Sequence, residues 1–324
     1  MLRWRGSRWL GRILILAGAV MGSGCAMPDR MGQAAPGTIP GVALQLATDL
    51  ADADAATERA VGRIGEFAWR NQREAAAIAY ATGRRLSPAR RGGGATAADG
   101  SAALAAGEVL GPAFDALALH GRRLAGLAGE LPPGLPDADP ASLRRETEQG
   151  LARYEAALRR PLPLTPAERD AGLAAVATLA TPPAPGAEFT AYVNERQPAV
   201  EALAALLRAV IGANPRSGLR AELAAGREEA MRAQTALLEA VRRDPAAGVM
   251  GRYALFHSAM RAQEDLPTDA VLAEVVRVLE ALPAAHASLA SGDASLASQR
   301  VEAFSAAVDR LQEAEAELER AAAD

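Results

Sequence analysis

The sequence predicts an all-α protein, an elongated antiparallel helical bundle of about eight helices, and three observations carry that prediction. Half of the residues are hydrophobic but only 4% are aromatic, so the core has to be built from Ala, Leu and Val, and alanine is the best helix former. Apolar residues recur at spacings of three and four along most of the chain, which marks one buried helix face. No stretch alternates apolar and polar residues long enough to make a strand, and no period of roughly 20–50 residues is strong enough to be a repeat.

The elements follow in order. Residues 25–40 read as a flexible tether with turn-forming Pro and Gly. From about Gly41 to Leu86 runs a long helical pattern, with a break allowed near Thr48-Asp49, and Val61, Ile64, Ala68, Asn71, Ala75 and Ile78 form one face. LSPARRGGGATAADGS interrupts it. A second helix spans roughly 101–129, with Leu110, Phe114, Leu117, Leu124 and Leu127 inward, and Pro112 either kinks it or marks a late start. Asp139-Pro140 reads as cap and first residue of a helix reaching Arg160. Thr165-Pro166-Ala167-Glu168 is a capping box that starts a helix ending by Ala180. Helices then run from about 188 to 212, from Pro215 after an Asn214 cap to Arg243, from 246 to 264, from Thr268 to Ser291, and from Asp293 to the end. The last carries the cleanest stripe, Val301, Phe304, Val308, Leu311, Ala314 and Leu318.

Amphipathic helices of this length joined by short loops pack antiparallel. Residues 41–324 are read as one helical-bundle domain. A boundary between two sub-bundles is a candidate near 181–187, although that breaker is too short for a free linker.

The amino-terminal segment speaks to address. MLRWRGSRWLGR carries four arginines and no acid, and the apolar run ILILAGAVM follows. That run is far shorter than the ~20 residues of a membrane span, and the arrangement is that of a secretory signal over residues 1–24. Gly22-Ser23-Gly24-Cys25, with the chain's sole cysteine, resembles the lipobox of bacterial lipoproteins. The resemblance covers residues 1–26 only. It implies that the Cys25 thiol is acylated and that cleavage falls just before it. It also implies that Ala26, where aspartate would signal retention, sends the protein to the outer membrane, facing the periplasm. Gly22 stands where that family usually has leucine. Cleavage after Ala26 by an ordinary signal peptidase, with Gly24 and Ala26 as the small residues, is the alternative.

Composition excludes several chemistries. The net charge is −4, and removal of the four signal arginines takes it to −8, a poor basis for binding nucleic acid. Every basic residue is arginine, which rules out Schiff-base lysines and a P-loop lysine. With Cys25 as sole thiol, cysteine catalysis, disulfides and thiolate metal sites are excluded as well. The serine-hydrolase, zincin, Walker and dinucleotide-binding motifs do not occur. Nor does the Gly-x-His-x-x-Glu motif of the imelysin-like periplasmic helical proteins. The 39 carboxylates are scattered over helix faces.

Candidate residues are few. His257 lies on a stripe with Met250, Tyr253 and Met260, His286 with Val275, Leu279, Leu282 and Leu289, and His120 beside Leu117–Leu124. No His-x3-His or Glu-x2-His pair accompanies them, so each reads as a core or boundary histidine, and no cofactor or metal is expected. The pairs Arg84-Arg85, Arg159-Arg160 and Arg242-Arg243 close helices, where cations offset the dipole. Arg90 and Arg91 lie in the Gly-rich loop and are candidate partner-binding residues. Asn71, mid-stripe, is expected to fix helix register. Trp69 and Tyr80 share another side of the same helix: either that helix is central and packed on two sides, or the pair forms an exposed partner-binding patch. The expectation is a non-catalytic, lipid-anchored envelope protein, a helical scaffold or adaptor for an envelope or cell-wall partner. A small-molecule or metal-binding bundle, a sensor or carrier, is the alternative.

Overall fold

The computed structural model describes residues 37–81, 101–131, 138–244, 246, 248–262 and 267–323. Among them are nine helices and no strand. They are α1 (Ile39–Ala81), α2 (Ser101–Leu127), α3 (Pro140–Ala157), α4 (Pro166–Ala180), α5 (Phe189–Ile211), α6 (Gly218–Arg243), α7 (Val249–Ala262), α8 (Thr268–Ser288) and α9 (Ala294–Ala323).

Local chemistry sets most of the starts. Asp139 caps α3 by accepting from the Ala141 N–H, with Pro140 at the first position. Thr165 and Glu168 exchange side-chain and backbone hydrogen bonds in a complete capping box. Glu188 caps α5, accepting from Thr190 and Ala191, and those two N–H groups hold its carboxyl below the usual range. The expected Asn214 cap is displaced. Asn214 instead accepts from the Arg216 N–H in a turn, and α6 begins at Gly218 after Ser217.

The break allowed near Thr48-Asp49 and the late start allowed at Pro112 do not occur. α1 runs without a break through Thr48-Asp49, because Thr48 donates to the Leu44 carbonyl inside the helix and Asp49 is held by Gln45 and by Ser305 of α9. α2 starts at Ser101 and passes through Pro112. Proline removes the N–H that the Glu108 carbonyl would accept from. The α3 backbone covers that spot at Gly150, where a Cβ would lie 2.7 Å from the Glu108 oxygen.

Each of seven helices packs on the next in the order α1, α2, α3, α4, α5, α8, α9, and α9 returns to α1. α6 leans on α1, α5 and α2, and α7 packs chiefly on α6. The segment at 181–187 joins α4 and α5, which pack on one another. α1 and α2 come so close that a Cβ on Gly121 would lie 3.0 Å from the Ala47 Cα. A Cβ there would make the Leu50 side chain move and the Ala47 backbone give way. Among fully buried side chains Tyr154, Phe114 and Phe304 are the largest. The Tyr154 hydroxyl donates to the Val210 carbonyl at 2.7 Å, tying α3 to α5.

Charged ties join helices at the margin of the core, with Arg220 and Glu315 themselves buried. Arg59 and Arg63 of α1 reach Glu315 and Glu319 of α9. Arg220 grips both oxygens of Asp269 at 2.7 and 2.8 Å, fixing the start of α6 against the start of α8.

The α9 stripe is buried as its spacing requires, with Val301, Phe304, Val308, Leu311 and Leu318 all in the core. Phe304→Ala is therefore expected to cost ~3–5 kcal/mol, because neighbours this small cannot refill the site. Urea unfolding of the isolated protein checks this, and an unchanged midpoint would remove Phe304 from the core.

Candidate functional site

Gln197 lies half-buried at an inward register position of α5. Val193, Gln197, Val200, Ala204, Leu207 and Ile211 repeat at alternating spacings of four and three, the register of an inward seam. A polar side chain there has to find partners. Its amide nitrogen donates to the Pro283 carbonyl at 3.2 Å and to Glu201 at 2.7 Å, which turns its oxygen toward His286 Nδ1 at 2.7 Å.

That contact sets the tautomers of a buried histidine pair. His286 Nδ1 donates to Gln197, so its Nε2 is a bare acceptor. His120 of α2 lies 2.9 Å away, Nε2 to Nε2, and is the donor. Its own Nδ1 is left buried without a partner. Both residues are 1% exposed. α2, α5 and α8 thus meet through one hydrogen-bonded chain.

The surroundings are aromatic and cationic. The Tyr192 ring sits 5.6 Å from the His120 ring, and the Arg196 guanidinium lies 5.1 Å over Tyr192. Arg196 donates to the Thr178 carbonyl and Arg123 to the Leu179 carbonyl, both at the end of α4. Burial first, then His286, Arg196 and Arg123, push the His120 pKa well below its ordinary value. Burial alone lowers His286 to about 4. Burial likewise raises the Tyr192 phenol, against the pull of Arg196 and Arg123.

Chemically, this arrangement is a neutral cross-link. General acid–base work needs a group in reach of substrate that titrates near the working pH, and both histidines are sealed and neutral. A cation between them would face two guanidinium groups. Among the described residues no three His, Cys, Asp or Glu side chains converge on a metal position.

The sequence candidates fare differently. His120 and His286, placed beside apolar stripes, are brought together. His257 is corrected: it is exposed on α7, beside Tyr253 at 5.9 Å between rings, and far from any core seam because α7 packs chiefly on α6. Trp69 and Tyr80 are exposed, at 46% and 81%, so that side of α1 is not packed, while Ala75 and Ile78 on the stripe are buried. Arg73 stacks on Trp69 at 4.6 Å. Asn71, expected to set register, is only half-buried there. Cys25, Arg84, Arg85, Arg90 and Arg91 lie outside the described residues. Arg159 bridges to Glu222 and Glu229 of α6, and Arg243 pairs with Glu239 in the last turn of α6. Tyr192, Arg196 and Gln197 were missed, although the heptad position of Gln197 was a legible signal.

No protein-family model, curated protein or solved structure matches the chain.

The histidine pair makes a signed prediction. Unfolded, both residues take up a proton near pH 6.5, whereas folded His286 resists until about 4. The unfolded state binds more protons in that window, so this share of stability, present above pH 6.5, is lost as pH falls. Asp49, Asp54 and Asp115, all raised by burial, act in the opposite direction. The comparison must therefore be between variants. His286→Gln is expected to be less stable than the parent at pH 7.5, yet to lose about 2 kcal/mol less between pH 7 and 5. Urea titrations at each pH measure the difference, and parallel pH profiles would refute the assignment.

Proposed function

We propose that this chain is a non-catalytic, lipid-anchored protein of the cell envelope, a helical scaffold held at the outer membrane through Cys25 and applied to the bilayer surface by α7. The observation that carries the reading is the character of α7. It exposes Val249 at 79%, Met250 at 75%, and also Tyr253 and Phe256, and Val249, Tyr253 and Phe256 share one face by their spacing of four and three. The segment from 245 to 263 contains Arg252 and Arg261 and no carboxylate, in a chain whose net charge is negative. An apolar stripe with aromatic residues and only positive charge suits the interface of a bilayer that carries anionic phospholipid.

The signal-like segment and the Pro- and Gly-containing stretch after Cys25 support the same reading, since a short tether keeps the bundle near the membrane it is anchored to. Trp69 and Tyr80 offer a second exposed patch on α1, suited to an envelope protein or cell-wall partner.

Two measurements test this. Cys25→Ala protein is expected to leave the outer-membrane fraction and to accumulate uncleaved. Unchanged fractionation would end the lipoprotein reading. Separately, a chain lacking residues 1–25 is expected to sediment with vesicles containing phosphatidylglycerol and not with pure phosphatidylcholine, and Phe256→Glu should abolish that. If Phe256→Glu instead dissociates a dimer and leaves vesicle binding alone, the α7 face belongs to a second copy.

A further inference from the structure

A cavity of about 180 Å³ lies between α1 and α2. Val61, Leu104, Leu110 and Phe114 form its apolar walls, and Asp54, Thr57 and Glu58 line it from α1. It exists because Gly62 and Gly111 border it. A Cβ on either would meet nothing within 4 Å, so packing does not demand glycine at these positions, and helix propensity argues against it. The gap is an opening that alanine or valine would fill.

One residue that lines the opening carries a buried hydroxyl without a partner. Thr48, Thr147, Thr178, Thr181 and Thr235 each donate their hydroxyl to the carbonyl four residues back. Thr57 does not: it is 1% exposed, its hydroxyl has no partner, and it lines the cavity. A sealed, unpaired hydroxyl is costly unless something else bonds it.

Negative charge gathers at the same end. Asp54 and Glu58 come from α1, Asp115 from α2 and Glu146 from α3, and Arg122 of α2 is the cation that opposes them. We infer that this groove is a binding site for a small organic ammonium, its apolar body against Val61, Leu110 and Phe114 and its N–H groups on the Thr57 hydroxyl and the Asp54 carboxylate. The size sets the class: an apolar cavity of ~150 Å³ takes a single benzene ring. This one therefore holds a ring or short alkyl chain with one amine, on the order of ten heavy atoms. Burial, together with Asp115 and Glu58, lifts the Asp54 carboxyl to about 7. An arriving ammonium supplies the positive charge that this proton otherwise supplies, so binding near neutrality sends the Asp54 proton to buffer. This site does not rest on the membrane reading, since neither α7 nor Cys25 takes part in it.

Isothermal titration of the purified full chain with 2-phenylethylammonium tests the site, in two buffers of different ionisation enthalpy at pH 7. Saturable 1:1 binding is expected, with net proton release. Phenylacetate, the same ring with the opposite charge, should bind at least tenfold more weakly. Asp54→Asn should weaken the ammonium at least tenfold and abolish the proton release, while leaving 2-phenylethanol unaffected. Gly111→Val and Gly62→Leu fill the opening from opposite helices, and each should remove binding with helix content intact by circular dichroism. No saturable binding by the parent chain, equal binding of the anion, or full binding by either folded filling variant would overturn the inference.

Discussion

Side chains as small as alanine fill the space between helices only when the helix backbones themselves come close, and the packing here follows from that requirement. Gly150 sits against the Glu108 carbonyl, an approach that any Cβ would block, and Gly121 sits against the Ala47 backbone, which a Cβ would push away. Close approach gives many short contacts, and dispersion is collectively large at native packing density. It also makes the few large side chains disproportionately important. Phe114, Tyr154 and Phe304 are fully buried, and each fills volume that its neighbours cannot reach. Where glycines border both sides of a seam and nothing enters, as at Gly62 and Gly111, the same economy leaves a gap.

Polar groups inside such a core have to be neutral or paired. The His120–His286–Gln197 chain meets that demand with one donor and one acceptor at each link, and it joins three helices at one level. Its energetic worth lies in specificity as much as in stability, since a register slip of α8 would break both links and a slip of α2 or α5 would break one. Charges are treated differently. Arg159–Glu229 lies at the surface, where ion pairs contribute little, whereas Arg59 reaches over to a buried Glu315. Arg220 is 8% exposed and held by two bonds to Asp269, a geometry that orients α6.

The chain thus divides its apolar surface unequally. The ring of seven helices buries its stripes, whereas α7 leaves its apolar residues in solvent and α1 exposes Trp69 and Tyr80 beside a stripe that stays buried at Ala75 and Ile78. Exposed apolar residues scattered singly are ordinary, but Val249, Met250, Tyr253 and Phe256 lie together on a helix that contains no acid. That contrast separates the part of the molecule that keeps the fold from the part available for contact.

Local signals were readable from the sequence alone. The Asp139 and Thr165 caps act within one helical turn, and the α9 stripe repeats within one helix, so each was visible as spacing. All-α class followed from composition for the same reason. Partnership was not visible. His120 and His286 are 166 residues apart, and nothing in either stripe says which stripe it will meet. The face of α1 that is buried up to Gly65 continues in sequence through Asn71 to Ile78 without a change of pattern, yet it is only half-buried at Ala68 and Asn71, and only the position of the neighbouring helices decides how far each turn is covered. His257 shares a helical spacing with apolar residues just as His286 does, yet α7 has little against it and α8 has α5 and α9. Periodicity states that a face is apolar; whether that face is covered depends on long-range packing, which one helix cannot encode.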